Sequence, residues 1–342
     1  MVYMPELLMP KKIIYGKNSL NKIQTERREH ALIISDGDFL ESRGFIHTAD
    51  SRLKKRSARV SLITNSDAQE LYRQTAELHF ADEIDSITAI GGAAVIDCGM
   101  LLSKESGAEF IAVPSSSACG MTDFETGRYY SYRYSPDCVI LDPLLMHCTG
   151  SGSTAYDGLC CLAYAMDSLS ENSNPIIHSI AYDAAKGILR NLSPAFRGNM
   201  YSLERLMYSM YLAVAAHRNT SQTESSLFTK TAEFFSQFGY SKHAVLAVCL
   251  PAVAEYEKEL LEKELFWLAV DSDIAHSDED ISFVTVKMLD ELRSIQASLG
   301  IPKSISGFGL NNDEYSREKE KSEIPSDLLD LCYNGSFKFL KI

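Results

Sequence analysis

The first 149 residues alternate continuous apolar runs with amphipathic stretches. KKIIYG at 11–16, ALIISD at 31–36, RVSLITN at 59–65, SITAIGG at 86–92, EFIAVPSS at 109–116 and DCVILDP at 137–143 are rich in consecutive aliphatic and β-branched residues. Strands buried on both faces read this way, whereas half-solvated strands alternate. Between the runs lie helical patterns: a start at Ser19, a stretch from Asp67 to His79, and a helix beginning near Ala93. Strands separated by helices need crossover connections and so form a mostly parallel sheet. Residues 1–149 are therefore expected to be an α/β nucleotide-binding domain.

From Thr154 onward the strand signal stops. Helical patterns run near 154–170, 175–193, 200–218, 221–238, 241–262 and 282–299, with breaks at Asn174-Pro175, Ser193-Pro194, Gly239 and Gly300-Ile301-Pro302. Residues 150–342 are expected to form an all-α domain. The join, CTGSGS at 148–153, reads as a Gly/Ser linker suited to lining an interdomain cleft. The charged run NDEYSREKEKSE at 312–323 reads as a solvated helix or loop.

Composition agrees with two folded domains. The chain has 342 residues, 45% hydrophobic and 23% charged, enough for each half to bury a core without disulfide or metal staples. Its 46 acidic and 33 basic residues give a formal net charge of -13. A global field of that sign argues against nucleic acid or an anionic membrane as partner, and no apolar run reaches the length of a spanning helix. The start, MVYMPELLMPKK, lacks the charged-then-apolar order of a secretion signal. Eight cysteines without a CxxC pair read as reduced thiols of a cytoplasmic protein.

Three strand ends in the first half carry groups suited to a ligand. After the fourth strand come Gly91, Gly92, Ala93 and Ala94, then Val95-Ile96-Asp97. Two glycines let the backbone approach a ligand, and the helix start offers N–H groups to a phosphate; the same pair also makes an ordinary turn. Asp36 ends the second strand, placed either to accept ribose hydroxyls or to cap a helix. The fifth strand ends in Ser115, Ser116 and Ser117. Ligands of open α/β sheets bind at this edge. The spacing is not G-x-G-x-x-G.

These motifs, with others, resemble the iron-containing (group III) alcohol dehydrogenase family of the dehydroquinate synthase-like fold. MPKKIIYGKNSL at 9–20 is similar to the family's opening strand and turn, AIGGAAVID at 89–97 to its glycine-rich turn, and IAVPSSSACG at 111–120 to its Pro-Thr-Thr segment. ILDP at 140–143, NSNPIIHSIAYDAAKGILRNL at 172–192 and SLGIPKSISGFG at 298–309 follow in the family's order. The resemblance implies a nicotinamide dinucleotide with its pyrophosphate at Gly91, Gly92 and Ala93, with Asp97, Ser115 and Ser116 beside it. Asp36 takes the place associated with NAD rather than NADP, where a carboxylate repels a 2′-phosphate.

The family also implies a metal, Fe²⁺ or Zn²⁺, in the second half. Asp157, in the helix S-T-A-Y-D-G-L-C-C at 153–161, corresponds to a ligand aspartate, although Thr154 and Asp157 also resemble a capping box. A histidine is expected four residues later; here that residue is Cys161. His243 corresponds to another ligand and is also readable as a packed or capping histidine. The remaining expected histidines fall in 225–238, which has none; Thr229 and Glu233 stand near those places, with Glu224 nearby and His217 farther back. Where the family often has a lysine beyond Asp97, this chain has Cys98, Gly99 and Met100. Its segment 122–136 is shorter than the family's hairpin.

The resemblance implies an oxidoreductase moving hydride between nicotinamide and a small alcohol or aldehyde, in a homodimer or larger assembly. Two other readings stay open: a nucleotide-binding protein that has lost the metal, or a dehydroquinate synthase-like enzyme for a phosphorylated or sugar-like substrate.

Overall fold

A computed structural model describes residues 7–24, 30–35, 43–55, 59–64, 68–116, 135–170, 174–220 and 226–335. The chain divides into two compact units, Met1–Gly150 and Ser151–Ile342. The fold is the expected one: a parallel α/β unit followed by a helical one. No described helix is long and apolar enough to cross a membrane.

In the first unit, β1 (Lys12–Tyr15), β2 (His30–Ser35), α1 (Phe45–Lys54), β3 (Arg59–Thr64), α2 (Ala68–Asp82), β4 (Ser86–Gly91), α3 (Ala93–Ser106), β5 (Glu109–Pro114), β6 (Cys138–Leu141) and α4 (Pro143–Thr149) follow in order. The strands lie as β1-β6-β5-β4-β2-β3, every pair parallel. Every residue of β2, β4 and β6 is buried, which is why those runs lack alternation. β1 is an edge strand and stays largely exposed.

The closest helix approach is made by α3. A Cβ on Gly99 would lie 2.6 Å from Phe110 Cε2 and 3.0 Å from the Ala89 methyl. Gly99 thus seats α3 against β4 and β5, and this packing explains a glycine in a helix interior despite its propensity cost. At the far side, Asp142 ends β6 as a buried tie. Its carboxylate accepts from the backbone N–H groups of Asn18, Leu20 and Leu144, each at 3.2 Å, so the ILDP motif joins two turns and caps α4 at once.

The second unit contains α5 (Ser151–Ser170), α6 (Pro175–Phe196), α7 (Met200–Asn219), α8 (Leu227–Ser236), α9 (Lys242–Tyr256), α10 (Lys258–Asp271), α11 (Ile281–Ser298), α12 (Asn312–Lys319) and α13 (Ser326–Asn334). Glycines bring its long helices together. A Cβ on Gly158 would meet Leu192 Cδ1 at 2.4 Å, and one on Gly187 would meet Ser209 Oγ at 2.0 Å. The tail helices close on an aromatic stack: the rings of Tyr315 and Tyr333 lie 4.0 Å apart, and Tyr315 Oη donates to Asp330.

Four boundaries differ from the sequence reading. Helix α5 begins at Ser151, so the expected linker shrinks to Gly150 and Thr154 lies inside a helix instead of capping one. The expected 241–262 helix breaks at Glu257, whose carbonyl starts α10 by accepting from Leu260 and Leu261. Pro194 does not stop α6, which runs two residues further. The start at Ser19 is a single 3-10 turn over Ser19–Lys22.

Gly187→Ala is expected to lower stability by about 1–3 kcal/mol through overpacking at Ser209. The double variant Gly187→Ala/Ser209→Ala should recover most of that loss. Urea denaturation of the two variants checks this; equal loss in both would show that the α6–α7 contact is not the cause.

Candidate functional site

The polar edge of the first unit is built mainly from backbone. β4 ends at Gly91, and Gly92 is the N-cap of α3 with no side chain capping the helix. The first intrahelical bond is Ile96 N–H to Gly92 O, at 3.1 Å, so the N–H groups of Ala93, Ala94 and Val95 precede the ladder. Such groups carry the positive end of the helix dipole, about half a unit charge. Ser115 N–H donates to Gly91 O at 2.8 Å, fastening the exit of β5 beside this turn. Ser115 is buried and Ser116 half-buried.

One neighbouring group was not picked out in the sequence. Ser35, at the end of β2 and level with Ile90 of β4, is fully buried, and its Oγ makes no hydrogen bond among the described residues. A buried hydroxyl with no partner is costly unless a ligand or water satisfies it. The uncapped helix start and this hydroxyl fit a phosphate-bearing nucleotide at the sheet edge. Asp97 lies in the second turn of α3, 2% exposed, where its nearness helps raise the Cys98 thiol, although burial is the main cause. Asp36 and the aromatic segment 121–134 lie outside the described residues.

The metal-ligand positions do not assemble. Among the described residues, no three His, Cys, Asp or Glu side chains gather closely enough to hold a metal ion. Asp157 is buried inside α5, and its Oδ2 accepts from Ser153 Oγ at 3.2 Å, one turn back. This bond replaces the expected capping box, because the helix starts earlier than the sequence suggests. Cys161 is fully buried. The neighbouring Cys160 thiol is pushed well up by burial and then by Cys161, so thiolate is disfavoured at Cys160. His243 lies in the first turn of α9, its pKa lowered to about 4 by burial and then by the Lys242 charge. It is neutral at pH 7, a state suited to coordination and equally to packing.

At the places expected to carry histidines, Thr229 is buried in the first turn of α8, and its N–H donates to the Ser226 cap. Glu233 forms an ion pair with Lys242 at 3.7 Å. Glu224 lies outside the described residues. This donor set does not fit a catalytic metal, which needs about three protein ligands and an open position.

The second unit instead buries a polar cluster that spacing along the chain does not reveal. His217 Nδ1 lies 3.1 Å from Asp167 Oδ2, in contact but not aligned for a hydrogen bond. The Tyr164 ring stacks on the imidazole with centroids 4.6 Å apart. Glu257, at the α9–α10 break, has a buried Oε2 without a hydrogen bond; burial, then the Asp167 charge, pushes its pKa up to about 7.

Comparison with known proteins places this arrangement. No family model matches the chain. A NADPH-dependent butanol dehydrogenase of Clostridium saccharobutylicum is 22% identical over 354 residues, covering 92% of this chain and 89% of that protein. A 1,3-propanediol dehydrogenase of Klebsiella pneumoniae is 26% identical over 209 residues, covering 58% of this chain and 52% of that protein. Among solved structures, an iron-containing alcohol dehydrogenase from Thermococcus thioreducens superposes with TM-score 0.80 at 19% identity, covering 97% of this chain and all of that one. An alcohol dehydrogenase from Oenococcus oeni gives 0.82 at 18%, over 96% of this chain and all of that one.

Because Glu257 has a higher pKa folded than unfolded, its protonated form favours the native state. That contribution is complete below its ordinary value and is lost as pH rises through about 7. Glu257→Gln should therefore raise stability at pH 8 by on the order of 2 kcal/mol and leave it nearly unchanged at pH 4. Thermal melts at the two pH values check this; a gain that does not grow with pH would contradict it.

Proposed function

We infer that this chain, which shares sequence and fold with the iron-containing alcohol dehydrogenases, is a nicotinamide-dependent oxidoreductase acting on a small alcohol or aldehyde. The observation that carries the reading is the α3 start after Gly91-Gly92, which no side chain caps among the described residues, beside the Ser35 hydroxyl, which has no partner among them. When bound, the nicotinamide supplies or accepts the hydride. The chain's own part is to bind and orient. The Ala93–Val95 N–H groups would hold the pyrophosphate, with Ser115 and Ser116 at the β5 exit and Ser35 at the β2 exit offering hydroxyls. Asp36, by its place after β2, would accept the ribose hydroxyls and disfavour a 2′-phosphate, which favours NAD. Asp97, buried in the second turn of α3, would stand beside this cradle.

No step is assigned to a metal, because Asp157, Cys161 and His243 are not gathered into a ligand set. The same observation favours a second reading: a dinucleotide-binding protein on this fold without alcohol turnover. Seven described cysteines, none in a disulfide, support a reducing compartment such as the cytoplasm, and a homodimer completes the proposal.

Gly92→Asp separates binding from folding. Gly92 has an extended backbone that any residue adopts, and aspartate is a favoured N-cap. The variant should keep or gain stability yet lose at least ~10-fold in NADH affinity, because a carboxylate would fill the phosphate position. Fluorescence titration with NADH checks it; unchanged affinity would place the cofactor elsewhere. Alongside, iron and zinc measured by mass spectrometry on the purified protein should fall well under one equivalent per chain. Turnover of an alcohol and aldehyde panel in that state supports the oxidoreductase; NADH binding without any turnover supports the binding protein. A full equivalent of metal, lost in His243→Ala, would overturn the donor assignment.

A further inference from the structure

We propose that a basic groove along β1 of the first unit binds a small polyanion bearing two or three linked phosphate groups. The groove is a cavity of about 820 Å³ between β1, the turn that follows it and the end of α1. That volume is within the range of small-ligand sites. Lys12, Lys22, Arg52 and Lys55 line it together with the amides of Asn21 and Gln24, and among the described residues no Asp or Glu does. The chain carries a net charge of -13, so four cations without an acid in one cavity run against its overall field.

The neighbours of these cations are neutralised. Lys11 pairs with Asp137 at 2.6 Å and Lys54 with Asp50 at 2.8 Å. Lys12, Lys22, Arg52 and Lys55 form no ion pair among the described residues. Among the described residues, the side-chain partner of Arg52 is neutral: its Nη2 donates to Asn21 Oδ1 at 3.2 Å, which steadies the guanidinium while leaving its charge uncompensated.

The chemistry of the donors selects the ligand. Guanidinium presents paired N–H groups to phosphate oxygens, and ammonium groups serve as point charges for the same oxygens. A single phosphate, with about two charges at most, leaves half of the four cations uncompensated, whereas two or three linked phosphates balance the set. The groove is distinct from the nucleotide edge. β6 and β5 separate β1 from β4 in the sheet.

The test is calorimetric titration of the full-length protein with inorganic tripolyphosphate at low salt, where such contacts are least screened. One ion should bind per chain, and Lys22→Gln/Arg52→Gln should weaken it at least ~10-fold while leaving NADH affinity unchanged. All four cations are exposed, so the variant should fold; Lys12→Gln/Lys55→Gln gives an independent repeat. Lys263→Gln, an exposed lysine of α10, should have no effect. Equal binding by the double variants, equal loss in Lys263→Gln, or saturation only at tens of millimolar (an adventitious ion only) would overturn the site. Tighter binding of a polyglutamate peptide than of tripolyphosphate would overturn the ligand class.

Discussion

The fold depends on covering an all-parallel sheet whose central strands are apolar on both faces. Such a sheet cannot face water, so helices must lie close against it. One such close approach is at Gly99, where α3 sits on Phe110 and Ala89 with no room for a methyl group. With α3 held there and Gly92 extended, the first N–H groups of the helix come at the end of β4. The proposed ligand site follows from packing: a helix pressed onto a strand that feeds it leaves three peptide donors at the edge.

A cradle of that origin does not depend on the side chains of Ala93 and Ala94. Donors supplied by the backbone survive side-chain replacement. A metal site has no such tolerance, because every ligand is a side chain and the loss of any one leaves the rest weak. Thr229 and Glu233 at positions expected to be histidine, and a buried Cys161 in place of another, are changes of this kind. Glu233 has found a different partner, Lys242. Asp157 is held by its own helix through Ser153.

The strands were legible because burial on both faces leaves a local trace, and each of the six runs lies within a residue or two of its observed strand. Helix ends were less so. α5 begins three residues early because Ser151 and Gly152 read as linker, and the break at Glu257 carries no glycine or proline to announce it. The proposed nucleotide edge was visible in sequence at Gly91, Gly92, Ser115 and Ser116, where strand and turn are contiguous. Ser35 was missed because an interior serine at a strand end looks like any other until its neighbours are placed. The Tyr164–Asp167–His217–Glu257 cluster could not be read at all: its members come from α5, α7 and the α9–α10 break and meet only through tertiary packing.

Amide hydrogen exchange of the whole chain with and without NADH tests the backbone cradle most directly. The amides of residues 93–95 should exchange more slowly in the presence of NADH, together with those at 115–116, while α6 and α7 are unchanged. NADH saturation with no added protection at 93–95 would contradict a dinucleotide held at the start of α3.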